Sequence, residues 1–354
     1  MFGMTARALT VALVLAASAA SAQQTILPLW PHATPEPAQT TEAEADVTKP
    51  TDALISGHRT SRITNVTNPT LSVYPPPSSV RNTGAAALVF PGGGYIRLAW
   101  DGEGVDTCKW LNSIGMTCLL VKYRVPEKGR YPENFADLED AQQAMRLTRA
   151  HASAWHINPA RIGVVGFSAG ANLAVLMSTH SDDQHVESTP AAPDVDTKIE
   201  ARPNFAIIVY PAYLVVATDP QNPAPPTLDP VYAPTALTPS TFLIQAENDR
   251  AYGKNAPVYF QALAARGVPA ELHMYATGGH GFGIHPPGRP EEHWTDLATA
   301  WLHAINMLPP SVDSGPPGVP AAGAGAIPCP VPQPQPGKPA PGSPSTPPTP
   351  DCPQ

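Results

Sequence analysis

The sequence predicts a doubly wound α/β fold: a mostly parallel sheet with helices on both faces. Three observations predict it. Short, continuously apolar runs, such as residues 86–90 (AALVF) and 205–210 (FAIIVY), read as strands buried on both faces. Longer stretches of helical periodicity alternate with them, which is the rhythm of strand–helix–strand crossovers. Residues 161–178 (RIGVVGFSAGANLAVLMS) join a buried strand to an apolar helix through the turn Gly166-Phe167-Ser168-Ala169-Gly170.

The chain has 354 residues, a formal charge of −8 and 14% charged residues, enough for a sizeable core. No cluster of Lys and Arg is present to neutralise phosphates, so nucleic acid is not an expected partner. Residues 1–22 read as an export signal: Arg7, an apolar run over residues 8–17, and a small-residue cleavage site at Ala20-Ser21-Ala22. That run is too short for stable membrane insertion. A secreted or periplasmic location with cleavage after Ala22 is expected. From Pro309 onward the sequence is rich in Pro, Gly, Ser and Ala without an aromatic residue, the composition of an extended, disordered tail. Three parts follow: signal 1–22, catalytic domain 23–308, tail 309–354.

Taken in order, residues 23–52 are polar and broken by prolines, a segment expected to wrap the surface with Leu27, Leu29 and Trp30 as anchors. Residues 62–66 and 71–74 read as two short strands around the Asn68-Pro69 turn. The buried strand 86–90 runs into Pro91-Gly92-Gly93-Gly94-Tyr95. Residues 103–114 read as a helix with Val105, Trp110 and Leu111 inward, 116–123 as a strand, and 134–155 as a long helix. After the Ser168 turn, residues 182–200 are a polar excursion, 205–210 a strand, and 220–239 a Pro-rich segment. That segment is either a cap over the strand ends or plain loop. Strand 241–245, helix 255–266, strand 271–275 and helix 291–307, with Trp294, Leu297, Trp301 and Ile305, complete the domain. Cys108 and Cys118 flank one connection, while Cys329 and Cys352 lie in the tail. Each pair is either a disulfide or two free thiols, and the spacings do not suit zinc.

A serine hydroxyl is a weak nucleophile unless it is thrust out on a sharp turn beside a base, which a G-x-S-x-G turn between strand and helix provides. Three consecutive glycines after a buried strand let backbone N–H groups converge on a developing oxyanion. The base needs a pKa near neutrality and a carboxylate to fix its tautomer. Asp249, just beyond an apolar strand, is preferred to Glu247, Asp219 and Asp229. His280, set among Gly278, Gly279, Gly281 and Gly283, is preferred to His285. The order Ser168, Asp249, His280 places all three on loops at one edge of a parallel sheet.

On LWP near the start, FPGGGY, KYRVP, RIGVVGFSAG, AEND and GGHGFG, spanning roughly residues 26–308, the chain resembles α/β-hydrolase-fold serine esterases. It is similar to the secreted acetyl esterases that deacetylate plant cell-wall polysaccharides such as xylan. The resemblance implies Ser168 as nucleophile, Asp249 as acid and His280 as base, with backbone N–H groups of Gly93, Gly94 and Ala169 holding the oxyanion. Tyr95 is expected to border the acyl pocket, and Tyr123 and Arg124 to line the cleft. A structural ion pair is the other reading of Arg124. The chain also resembles the related hormone-sensitive-lipase-like carboxylesterases, which carry His before the glycines; here Pro91 stands there, a departure that separates it from that branch.

The function implied is hydrolysis of short acyl esters of small molecules or polysaccharides through an acyl-enzyme, chemistry that requires neither metal nor organic cofactor. The alternatives are a feruloyl or general short-chain carboxylesterase, a serine peptidase of the same fold, and a catalytically silent carbohydrate-binding protein. The sequence does not specify an oligomeric state.

Overall fold

Where an apolar run is too short for a helix and flanked by turn residues, extended backbone buried on both faces is the stable outcome. The computed structural model describes residues 25–310 except 53, 55–57, 184–195, 197, 217–224 and 285–287. The signal segment, residues 311–354 of the tail with Cys329 and Cys352, Asp219 and His285 lie outside the described residues. The chain divides into one unit of residues 1–310 and a second of 311–354.

The elements of the first unit begin with β1 (Thr25–Pro28), β2 (Ala45–Asp46), β3 (Arg62–Thr64), β4 (Thr70–Tyr74), β5 (Ala86–Phe90) and β6 (Leu98–Ala99). Next come α1 (Asp106–Ser113), β7 (Thr117–Lys122), α2 (Ala136–Ala150), β8 (Ile162–Phe167), α3 (Ala169–Thr179) and β9 (Phe205–Val209). The last are β10 (Ser240–Ala246), α4 (Asn255–Ala265), β11 (Ala270–Tyr275) and α5 (Trp294–Ala304). Among the described residues, eight strands form one sheet in the order β1-β4-β7-β5-β8-β9-β10-β11. β7 through β11 are mutually parallel, while β4 and β1 add antiparallel pairs at one edge.

The central strands β5, β8 and β9 are buried at every position. Their alternating side chains feed two cores. Leu88 and Val164 face a core with Leu138, Met145 and Leu173 from α2 and α3. Val89 and Val165 face the other, with Trp110 of α1 and Trp294 and Trp301 of α5. Burying each such large side chain contributes about 1.5–3 kcal/mol.

Both short strands expected on either side of Asn68-Pro69 form, in different sheets: β3 joins β2 and β6 in a small antiparallel sheet, while β4 enters the main sheet between β1 and β7. One expectation changes. The helix expected from Glu103 starts instead as a π-helical run, Trp100–Val105, before α1; Val105 is half-buried, and Trp110 and Leu111 are buried. In α5, Leu297 is 38% exposed, so the buried stripe runs through Trp294, Thr295, Ala298, Trp301 and Leu302.

Cys108 and Cys118 form a disulfide that ties α1 to β7. The N-terminal segment wraps the domain through Leu29, fully buried, and Trp30, whose Nε1–H donates to Asp140 Oδ1 at 2.7 Å. The described part of the Pro-rich segment is a loop with one 3₁₀ turn (Pro230–Tyr232), held by the buried Tyr232 and a bridge between Val215 and Leu228.

Candidate active site

Strand β8 must pass into α3 within one residue, and the glycines make that possible by close approach. A Cβ on Gly166 would lie 2.1 Å from the Gly170 carbonyl oxygen, and one on Gly170 would lie 2.1 Å from that of Phe90. Ser168 takes φ 53° and ψ −116°, a backbone state costly for any residue with a Cβ and held here by its neighbours. Its N–H donates to Val209 O at 3.0 Å, and its carbonyl accepts the N–H groups of Ala171 and Asn172. The side chain is thereby presented above the carboxyl ends of the central strands.

His280 arrives on the loop after β11 and Asp249 on the loop after β10. Ser168 Oγ lies 2.7 Å from His280 Nε2, and His280 Nδ1 lies 2.7 Å from Asp249 Oδ2. An Nδ1–H donated to the carboxylate leaves the Nε2 lone pair free to accept the serine proton. Asp249 is fixed in turn: Oδ1 accepts the N–H groups of Ala251 and Tyr252 at 3.1 and 3.0 Å, and Oδ2 accepts from Gln245 Nε2 at 3.1 Å. Burial alone raises the Asp249 carboxyl, but the hydrogen bonds from His280 and Tyr252 and the His280 charge hold it below its usual value. Gly279 N–H donates to Asn248 Oδ1 at 2.8 Å, pinning the histidine loop to the aspartate loop.

The glycine loop after β5 lies beside the serine. Gly93 takes φ 133°, which suits glycine alone, Gly94 takes φ 70° in the left-handed region that favours glycine, and both line a cleft of about 370 Å³ with Ser168 and His280. Ala169 opens α3, where the first N–H groups have no intrahelical acceptor. The N–H of Gly92 points elsewhere, donating to Glu103 Oε2 at 2.6 Å. Glu103 is 4% exposed, and its Oε1 accepts the Tyr210 hydroxyl at 2.9 Å. Burial pushes its carboxyl above the usual range against the pull of those two hydrogen bonds. The ring of Tyr210 stands edge-on to His280 with centroids 5.4 Å apart, so this one carboxylate braces both the glycine loop and the face behind the histidine.

The structure therefore joins Ser168, His280 and Asp249 and sets Gly93, Gly94 and Ala169 around the serine. Tyr95, Tyr123 and Arg124 do not line the cleft. Tyr95 is buried, donates to Asn172 Oδ1 at 2.8 Å, and backs Tyr213 by stacking. Tyr123 is fully buried and donates to Pro91 O at 2.6 Å, supporting the glycine loop from beneath. Arg124 is an ion-pair residue. It donates to Asp140 through Nε and to Glu139 through Nη2, while Nη1 holds the Glu36 carbonyl at 2.5 Å, so the N-terminal segment covers it. The walls of the cleft instead include Ile96, Arg97, Tyr213 and Tyr252. Sequence reasoning missed these together with Glu103. The only local signal was glycine on both sides of Glu103, which weakens a helix start. Among the described residues, no group of His, Cys, Asp or Glu is arranged to hold a metal ion.

A family model described as alpha/beta hydrolase fold matches residues 87–284, more than half of the chain. An acetylxylan esterase of Xylanibacter ruminicola is 31% identical over 223 residues, 57% of this chain and 42% of that protein. An endo-1,4-beta-xylanase B of Butyrivibrio fibrisolvens is 27% identical over 210 residues, 56% of this chain and 32% of that protein. The chain thus spans less than half the length of these curated relatives. Among solved structures, an acetyl ester-xyloside bifunctional hydrolase of Caldicellulosiruptor lactoaceticus superposes with a TM-score of 0.58 at 28% identity, covering 80% of this chain and 97% of that one. With its parallel sheet, its serine turn and its matched residues, the chain belongs to the α/β-hydrolase fold family.

Proposed function

We propose that the chain is a serine carboxylic ester hydrolase that removes short acyl groups, acetyl foremost, from carbohydrate esters such as acetylated xylan. The observation that carries this reading is the pair of 2.7 Å hydrogen bonds linking Ser168, His280 and Asp249 beside the glycine loop. In this mechanism His280 Nε2 takes the Ser168 proton as Oγ attacks the ester carbonyl carbon. The oxyanion is held by the N–H groups of Gly93, Gly94 and Ala169, aimed where charge develops. As the carbonyl re-forms, the alcohol leaves with the proton from His280. Water, deprotonated by the same imidazole, then attacks the acyl-enzyme and releases the carboxylic acid and free Ser168. Asp249 keeps the imidazole in one tautomer and stabilises its charged form.

The acyl specificity is supported by the modest cleft at the serine and by the names of the relatives, one an acetylxylan esterase and one an acetyl ester-xyloside hydrolase. Export completes the proposal: residues 1–22 act as a cleaved signal, 23–308 as the catalytic domain and 309–354 as a tail. No helix among the described residues is long and apolar enough to cross a membrane. The test is acetate release from acetylated xylan and from p-nitrophenyl acetate by the purified protein and by Ser168→Ala. Release from both by the wild type and from neither by the variant is expected. Xylan deacetylation with an indifferent variant, or no action on xylan, would overturn the respective part.

A further inference from the structure

A second cavity, of about 840 Å³, is larger than the one holding Ser168, and Tyr213 and Tyr252 line both. We propose that this larger cavity binds the saccharide chain of the leaving alcohol, as a subsite for neutral sugar residues; the inference rests on the esterase reading above.

The direction follows from the proton transfer. The imidazole that takes the serine proton must return it to the alcohol oxygen, so the alcohol half of the ester lies on the His280 side. Tyr252 packs against His280 with ring centroids 4.8 Å apart and carries the wall from there into the larger cavity. Away from Tyr252, the wall of the small cleft at Ile96 and Arg97 is left for the acyl group.

The lining suits a sugar. Pyranose rings present C–H faces that pack on aromatic rings and hydroxyls that pair with charged and amide groups. Tyr131 and Tyr252 supply the first, and Arg130, Glu133 and Lys254 the second. Glu133 and Asp229 offset Arg130 and Lys254, so the cavity carries no dominant sign that would select a phosphate or a polyanion. Four charged side chains on its wall also disfavour a long acyl chain, which would leave them desolvated.

The wall is held in place before any ligand arrives. The Arg130 guanidinium sits 4.5 Å over the Tyr213 ring, and Tyr213 meets Tyr252 edge-on at 5.3 Å. Buried Asn255 Oδ1 accepts the N–H groups of Leu214 and Val215 at 2.7 and 3.1 Å, while its Nδ2 donates to the Tyr252 carbonyl at 2.9 Å. One amide therefore fixes the chain segments that carry both tyrosines.

The test uses unacetylated xylotetraose, which binds without turnover, titrated calorimetrically into the full-length protein and into the double variant Arg130→Ala/Lys254→Ala. Both side chains are exposed, so the fold survives their removal. Saturable binding that weakens about five-fold or more in the variant is expected, the loss of one or two hydrogen bonds. In parallel, the ratio of kcat/KM on acetylated xylotetraose to that on p-nitrophenyl acetate is expected to fall about ten-fold. No saturable binding, binding indifferent to both substitutions, or an unchanged ratio would overturn the subsite. A protein that binds xylotetraose in this manner but releases acetate from neither ester would retain the subsite and lose the esterase reading. An active esterase that fails the titration would do the reverse.

Discussion

Glu103 offers a demanding perturbation, because two buried donors depend on it and neither is part of the serine–histidine–aspartate chain. Glu103→Ala leaves the Gly92 N–H and the fully buried Tyr210 hydroxyl without their carboxylate acceptor. An orphaned buried donor costs about 1–3 kcal/mol, so together with the cavity the variant should lose about 2–5 kcal/mol. Glu103→Gln keeps one acceptor for Gly92 and turns its amide toward a hydroxyl that can itself accept, so its cost should stay near 1 kcal/mol. Gly92 anchors the loop that presents Gly93 and Gly94, and misaligned oxyanion donors typically lower kcat by about 10²-fold. Urea unfolding gives the stability differences, and p-nitrophenyl acetate hydrolysis gives kcat. Glu103→Ala within about 1 kcal/mol of wild type with unchanged kcat, or Glu103→Gln as damaging as Glu103→Ala, would refute the bracing role.

Asp249→Asn should fold, since its position accepts backbone N–H groups that a side-chain carbonyl can also receive, yet lose about 10³–10⁴ in kcat because His280 is no longer held in the needed tautomer. Rates near wild type would remove Asp249 from the mechanism. Reducing the Cys108–Cys118 disulfide, which closes a short loop, should lower stability by about 2–3 kcal/mol in denaturant titrations, whereas an unchanged midpoint would make it decorative. Burial, and then the neighbouring Asp137 and Asp140, push the Glu127 carboxyl far above its usual value. The folded state therefore binds more protons than the unfolded one at pH values above the ordinary glutamate pKa, and stability falls as pH rises from about 5 towards the raised value of about 11. Glu127→Gln should flatten that fall in the thermal midpoint; an equal slope in both proteins would contradict it.

The central strands were legible because burial on both faces imposes an unbroken apolar run, as in β5, β8 and β9. Edge strand β1 was not, because TILP is largely exposed and its pairing is decided by β4 rather than by its own residues. The same contrast runs through the site. Ser168, Asp249 and His280 stand out because a sharp turn and strand-end loops have sequence signatures. Tyr123 and Arg124 also follow a strand end, but β7 neighbours the antiparallel edge, and the N-terminal segment closes over Arg124 there through Glu36 and Trp30. Glu103, Tyr213 and Tyr252 acquire their positions from a π-helical turn and two returning loops. No local periodicity encodes where such chain segments meet.

The most direct measurement combines an active-serine fluorophosphonate with mass spectrometric mapping and p-nitrophenyl acetate turnover in wild type and Ser168→Ala. Stoichiometric labelling on Ser168, with turnover abolished by the label and absent from the variant, is the expected result. Label on another residue, or full turnover by Ser168→Ala, would contradict the assignment of Ser168 as the nucleophile.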